Sequence, residues 1–341
     1  MLEVNNLKTH FKTQDGLVKA VDGVSFSLEE GETLGIVGES GSGKSVTALS
    51  VMQLNPAPPV TYPEGEILFE GQDLLKTSDK KMQKIRGNDI AMIFQDPMTC
   101  LNPVFTVGNQ ITEAIRIHQG VSKSEAREKA VQTLKDVGIA NPERRVKEYP
   151  HQFSGGMRQR AMIAMGLACN PKVLICDEPT TALDVTIQAQ ILELMVDLQE
   201  KFGTAIVMIT HDLGVVAQLA DKVMVMYAGR AVEQSSTEQV FYDPLMPYSW
   251  SLLRSLPRLD TAGEVRLLPI KGQPPSLIFL PEGCNFSPRC PFVKDECHAT
   301  DPPLEEKKPG HAAACILSVE EIEKRKRKAD EELGIEGEMS A

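Results

Sequence analysis

The chain has 341 residues, enough for one large domain and a smaller one, and its 42% hydrophobic and 24% charged content is that of a soluble globular protein. A formal net charge of −11 argues against nucleic acid as a bulk partner, because gripping a phosphate backbone needs a basic face. Met1-Leu2-Glu3-Val4-Asn5-Asn6 lacks the basic-then-apolar order of a signal peptide, and no apolar run approaches bilayer length, so a cytosolic protein is expected.

In chain order, Thr33-Leu34-Gly35-Ile36-Val37 predicts a strand and Val46 to Leu54 a helix. Between them lies Gly38-Glu39-Ser40-Gly41-Ser42-Gly43-Lys44-Ser45. Strand, glycine loop, Lys-Ser and helix are the parts that hold a nucleoside triphosphate. The glycines let backbone N–H groups turn inward around phosphate oxygens. Lys44 can reach the β- and γ-phosphates, and the Ser45 hydroxyl can ligate Mg²⁺. The helix N-terminus adds partial positive charge facing the anion.

Further on, Phe153-Ser154-Gly155-Gly156-Met157-Arg158-Gln159-Arg160 opens an apolar helix, Ala161 to Ala168. Ser154, Gly155 and Gly156 at a helix start make a second anion cradle. Lys172-Val173-Leu174-Ile175-Cys176-Asp177-Glu178-Pro179 reads as a buried strand ending in two acids, where doubly wound sheets place their ligands. Asp177 is placed to hold Mg²⁺ through water, and Glu178 to polarise the attacking water. Ala205 to Ile209 predicts another strand, followed by Thr210, His211 and Asp212.

Taken together, these segments resemble the ATP-binding cassette (ABC) family, with Phe153 for the usual Leu and Met157 for the usual Gln of its signature. The resemblance covers roughly residues 1–258. It implies an α/β fold: an ABC-type nucleotide-binding domain with a RecA-like core sheet, an antiparallel β edge and a helical subdomain at about 102–152. A small Cys/Pro-rich extension, 259–341, would follow. It implies that Gln95 links the Mg²⁺ site to the helical subdomain, and that His211 contacts the γ-phosphate. Asp184, in Thr181-Ala182-Leu183-Asp184, falls in the loop that crosses the dimer interface. Phe11 is the choice for the ring that stacks on adenine, with Phe26 and His10 close by. The family works as a head-to-tail dimer enclosing two ATP molecules, the glycine loop of one subunit facing the signature of the other.

Several stretches resemble the oligopeptide, dipeptide and nickel importer branch: the extended Gln loop from Phe94 to Pro103, the segment from Pro247 to Pro257, Lys271 to Pro275, and Pro281 to Pro291. That branch implies an ATPase powering peptide import from the cytoplasmic face of the membrane, as a peripheral subunit. Its partners would be two transmembrane permease subunits, a paralogous ATPase subunit (a homodimer is the alternative) and, indirectly, an extracytoplasmic peptide-binding protein. Nickel is the alternative cargo, and a soluble ABC ATPase the competing function.

Four of the seven cysteines, Cys284, Cys290, Cys297 and Cys315, fall in the extension as Cys-x5-Cys-x6-Cys-x17-Cys. The prolines around them leave little apolar core, so the segment would need a staple. Paired Cys-x2-Cys zinc hairpins are absent; the wider spacing and Pro291 after Cys290 lean toward an iron–sulfur cluster. The branch resemblance points the same way, to a 4Fe–4S cluster, with zinc or free thiols as alternatives. Cys100, Cys169 and Cys176 read as small buried apolar residues. The basic run Lys324 to Lys328, flanked by acids, reads as a solvated helical tail.

Overall fold

A computed structural model describes residues 1–96, 100–181, 184–255 and 269–332. Its strands are β1 (Leu2–Thr13), β2 (Gly16–Leu28), β3 (Thr33–Val37), β4 (Val60–Thr61), β5 (Glu66–Phe69), β6 (Gln72–Asp73), β7 (Ile90–Ile93), β8 (Val173–Asp177), β9 (Ala205–Ile209), β10 (Lys222–Tyr227), β11 (Arg230–Ser236), β12 (Glu305–Lys308) and β13 (His311–Ala313). Its helices are α1 (Lys44–Val51), α2 (Asp79–Ile85), α3 (Val107–Gln119), α4 (Lys123–Asp136), α5 (Pro142–Arg145), α6 (Gly155–Leu167), α7 (Val185–Phe202), α8 (Leu213–Leu219), α9 (Thr237–Tyr242), α10 (Pro247–Arg254) and α11 (Val319–Glu332). The boundary drawn at residue 258 lies outside the described residues, as do Pro97, Met98 and Thr99 of the Gln loop and Ala182 and Leu183 of the Thr181–Asp184 loop.

The main sheet runs β12-β13-β11-β10-β3-β9-β8-β7. Its β10-β3-β9-β8-β7 stretch is parallel. Every residue of β3, β8 and β9 is buried, which is why these strands read as unbroken apolar runs. Alongside lies an antiparallel sheet of order β2-β1-β5-β6, with β4 on β1.

Helix boundaries differ from the sequence reading at two functional points. Helix α1 begins at Lys44, two residues before Val46, so Lys44 and Ser45 are its first turn. Helix α6 begins at Gly155, not Ala161. The Ser154 hydroxyl accepts the Met157 N–H at 3.3 Å, and this cap starts the helix on the glycines themselves.

The helical layer packs on the parallel sheet by i, i+4 stripes. Helix α3 buries Val107, Ile111 and Ile115, and α4 buries Ala126, Ala130 and Leu134, in one cluster with Phe153 and Met162. Thr106 and Ser122 cap these helices, accepting the Asn109 and Glu125 N–H groups.

Two expectations for the extension are overturned. It does have an apolar core, made jointly with the cassette. Phe286, Phe292, Leu317 and Ile322 are buried in one cluster with Tyr227, Tyr248 and Trp250. Strand β13 pairs with β11, setting Ala313 opposite Glu233, so the extension adds two strands to the main sheet. Each large side chain buried this way contributes roughly 2–3 kcal/mol, so packing on the cassette helps to hold the segment. The basic run is helical but docked. Ile322 is fully buried, Lys326 Nζ donates to the Pro244 carbonyl at 2.9 Å, and Arg325 donates to the Phe292 carbonyl at 3.3 Å.

Candidate active site

The loop after β3 turns where side chains cannot. Gly43 has φ 104°, and a Cβ there would meet the Ala20 carbonyl oxygen at 2.3 Å. At Gly38 a Cβ would meet the Met226 carbonyl at 2.2 Å. The loop therefore lies hard against the strands beneath it, with its other side left for an anion. Lys44 is buried, and its Nζ donates to the carbonyls of Gly38 at 2.8 Å and Glu39 at 3.0 Å. Burial lowers its pKa, while the nearby Glu178 and Asp177 charges oppose that shift.

Asp177 ends β8 and accepts the Ser45 hydroxyl at 3.0 Å. Burial raises its pKa; the Ser45 hydrogen bond pulls the other way, and the neighbouring Glu178 charge adds to the rise. One residue on, Glu178 adopts φ 49°, an uncommon conformation for a residue with a side chain. Its N–H is fixed by the Ile209 carbonyl at 2.8 Å, tying the turn to the end of β9. The Glu178 carboxylate gathers three partners. Gln95 Nε2 donates to Oε2 at 2.9 Å, Thr181 Oγ1 donates to the same oxygen at 3.0 Å, and His211 Nδ1 lies 3.2 Å from Oε1.

The structure thus brings together Lys44, Ser45, Gln95, Asp177, Glu178 and His211 at the C-terminal ends of parallel strands. Thr181 was missed as a ligand of Glu178. The signal was its hydroxyl three residues after the acid, within one turn's reach. Ser154, Gly155 and Gly156 stand apart on α6. Ser154 is exposed and makes no side-chain bond to the Glu178 cluster among the described residues. Helix α6 is tied back by Gln159, whose amide donates to the Pro179 carbonyl. Asp184 caps α7 by accepting the Ile187 N–H at 2.9 Å. Phe11 sits on β1 opposite Val18 and Val60 and is half-buried, whereas the competing Phe26 and His10 are buried.

Two family models match the chain: "ABC transporter" over residues 21–181 and "Oligopeptide/dipeptide transporter, C-terminal region" over residues 232–297. The oligopeptide transport ATP-binding protein OppD of Bacillus subtilis is 57% identical over 304 residues, 89% of this chain and 85% of the relative. The chain belongs to the ATP-binding subunits of oligopeptide/dipeptide ABC transporters. The dipeptide transport ATP-binding protein DppD of the same organism is 52% identical, covering 95% of this chain and 96% of its own. Among solved structures, the dimeric bacterial ABC transporter cassette MJ0796 matches with a TM-score of 0.62 at 28% identity, over 70% of this chain and 99% of that one. As a member of this family the protein is an ABC-type ATPase. No helix among its described residues is long and apolar enough to cross a membrane.

In this ABC ATPase the four C-terminal cysteines border one small cavity, walled by Met246, Phe286 and Phe292. Each sulfur receives a backbone N–H: from Phe292 to Cys290 and from Lys294 to Cys297, both at 3.4 Å, from Phe286 and Ser287 to Cys284, and from Leu317 to Cys315. Burial pushes the Cys290 thiol up to about 12 and the Cys315 thiol up to about 11. Among the described residues no three His, Cys, Asp or Glu side chains close on one point as a metal-ion group. Of the remaining cysteines, Cys176 is buried as expected, while Cys100 and Cys169 are half-buried.

Proposed function

We propose that this subunit powers peptide import by closing over ATP against a second cassette. Lys44 and the N–H groups of the Gly38–Ser45 loop bind the phosphates, and Phe11 stacks on adenine. Ser45 and Asp177, with Gln95 at the edge, would hold Mg²⁺, which would supply positive charge against the triphosphate. Glu178 accepts the proton of the attacking water, and His211 and Gln95 fix its orientation and sense the γ-phosphate. The observation that carries this reading is the Glu178 carboxylate held by Gln95, Thr181 and His211 beside the Ser45–Asp177 pair.

One cassette offers donors to only one side of the triphosphate. The helix start at Ser154–Gly156, with Ser154 and Gly155 exposed, and Asp184 at the start of α7 supply the facing side of a neighbouring subunit's site. ATP therefore favours the closed pair and hydrolysis releases it. The second cassette is a paralogue, and the pair drives two membrane-embedded permease subunits from the cytoplasmic face, with a peptide-binding protein outside. The test is association: with Mg²⁺ and ATP, the Glu178→Gln chain should pair with its partner cassette, and with ADP it should not. ATP bound to saturation with no pairing in either mixture would sink the reading.

The four cysteines fit a 4Fe–4S cluster. Four soft ligands around one small cavity, each with an N–H···S contact, are the surroundings that stabilise and tune such a centre. Bound there, it would supply cross-linking between the Pro281–Pro291 loop and the strand end at Cys315, a structural task.

A further inference from the structure

Glu39, the second residue of the phosphate loop, is held at every polar group it has. Its N–H donates to the Tyr248 hydroxyl at 2.9 Å, and its carbonyl accepts Lys44 Nζ at 3.0 Å. Its carboxylate receives both Nη atoms of Arg289, at 2.6 and 2.9 Å. This bidentate pair joins residues 250 positions apart. Arg289 belongs to the extension, directly before Cys290. Its side chain is only 4% exposed, and three more contacts aim it: Nε donates to the Lys271 carbonyl at 3.0 Å, Nη1 donates to the Tyr227 hydroxyl at 3.2 Å, and the guanidinium lies 5.8 Å from the Tyr227 ring centre. Tyr227, Tyr248 and Phe286 form a closed aromatic trio beneath, with ring centres 4.6 to 5.3 Å apart.

A carboxylate inside a loop built for a polyanion is a liability. Unpaired, it repels the incoming phosphates and competes for Lys44. We propose that Arg289 is a positioning residue for the ATPase site: it neutralises Glu39 and, with Tyr248, pins the loop open toward the triphosphate, so that nucleotide affinity depends on the docked C-terminal extension. This rests on the reading of the Lys44 loop as the ATP seat. A fork-shaped guanidinium is suited to the task, because it fixes both carboxylate oxygens at once, which a lysine cannot.

The experiment uses the full chain and titrates a fluorescent ATP analogue, then measures ATPase kinetics in the assembled transporter. Arg289→Ala should weaken nucleotide binding about tenfold or more, the loss expected for a charge-assisted hydrogen-bonded pair. KM for ATP should rise while kcat at saturation stays within about twofold, because Glu178 and its partners are untouched. Adding Glu39→Gln to Arg289→Ala should restore most of the affinity by removing the stranded charge. A general loosening of the fold would not be rescued in this way. Should Arg289→Ala not fold, Arg289→Lys gives the same reading: affinity falls, and Glu39→Gln recovers it. Wild-type affinity in Arg289→Ala, or a double variant no better than the single, overturns the proposal. Lys44→Ala run beside them separates the two claims: lost binding there with unchanged Arg289→Ala condemns only the clamp, whereas unchanged binding in Lys44→Ala condemns the seat itself.

Discussion

Ser45 and Asp177, 132 residues apart in the chain, meet through a 3.0 Å hydrogen bond that joins the first turn of α1 to the last residue of β8. The acid is buried at the end of its strand. Burial raises the Asp177 pKa, so the folded chain keeps its proton to higher pH than the unfolded chain does. The nucleotide-free fold then gains stability below the usual carboxylate range and loses it as pH rises through the raised value. Asp177→Asn should accordingly raise the melting temperature of the nucleotide-free protein at neutral pH while abolishing Mg²⁺-dependent turnover. A variant that melts lower than the wild type at pH 7 contradicts this.

Glu178→Gln should keep ATP affinity within about threefold and lower turnover by at least about a hundredfold, since only proton acceptance from water is lost. Steady-state phosphate release in the assembled transporter checks this, and turnover near wild type removes Glu178 from the role.

Lys44→Ala should weaken ATP binding by on the order of a hundredfold, because the buried ammonium is the main point charge on the phosphates. Calorimetric titration with Mg²⁺ and ATP measures the change, and affinity equal to wild type refutes it.

Glu233 and His311 are both fully buried and paired at 2.7 Å, one on cassette strand β11 and the other on β13 of the extension. His311→Ala would leave the buried Glu233 side chain only the Leu245 N–H as partner and should cost about 3 kcal/mol. Denaturant unfolding reads this as a fall in midpoint. The double change Glu233→Gln with His311→Ala should cost less, and equal losses would show that the charge is not the cause.

Protein purified without oxygen should carry about four iron atoms per chain and a broad visible absorption. Cys290→Ser should remove most of both. Zinc in place of iron under these conditions would reject the cluster.

Much of the site was legible because its chemistry is local. The Gly38–Ser45 loop, the acids at the end of β8 and His211 after β9 each follow an apolar run that reads as a buried strand. Thr181 and Arg289 were not legible as site residues, since their significance comes from partners brought together by folding. For Arg289 the partner, Glu39, lies at the far end of the chain, and no periodicity records such a meeting. The extension was misjudged for a related reason. Its few apolar residues, such as Phe286 and Ile322, look too sparse to build a core alone, and the half that completes it, Tyr227 and Trp250, is supplied by the cassette. Helix α6 started early because a capping hydroxyl outweighs the poor helix propensity of two glycines in a first turn.

The hairpin of β12 and β13 also seals a border. Strand β11 would otherwise present bare N–H and C=O groups along its outer side, an invitation to strand-by-strand aggregation. Cutting the chain just ahead of β12, as one would to obtain a minimal cassette, uncovers that ribbon. The trimmed product should be prone to clump before any question of catalysis arises.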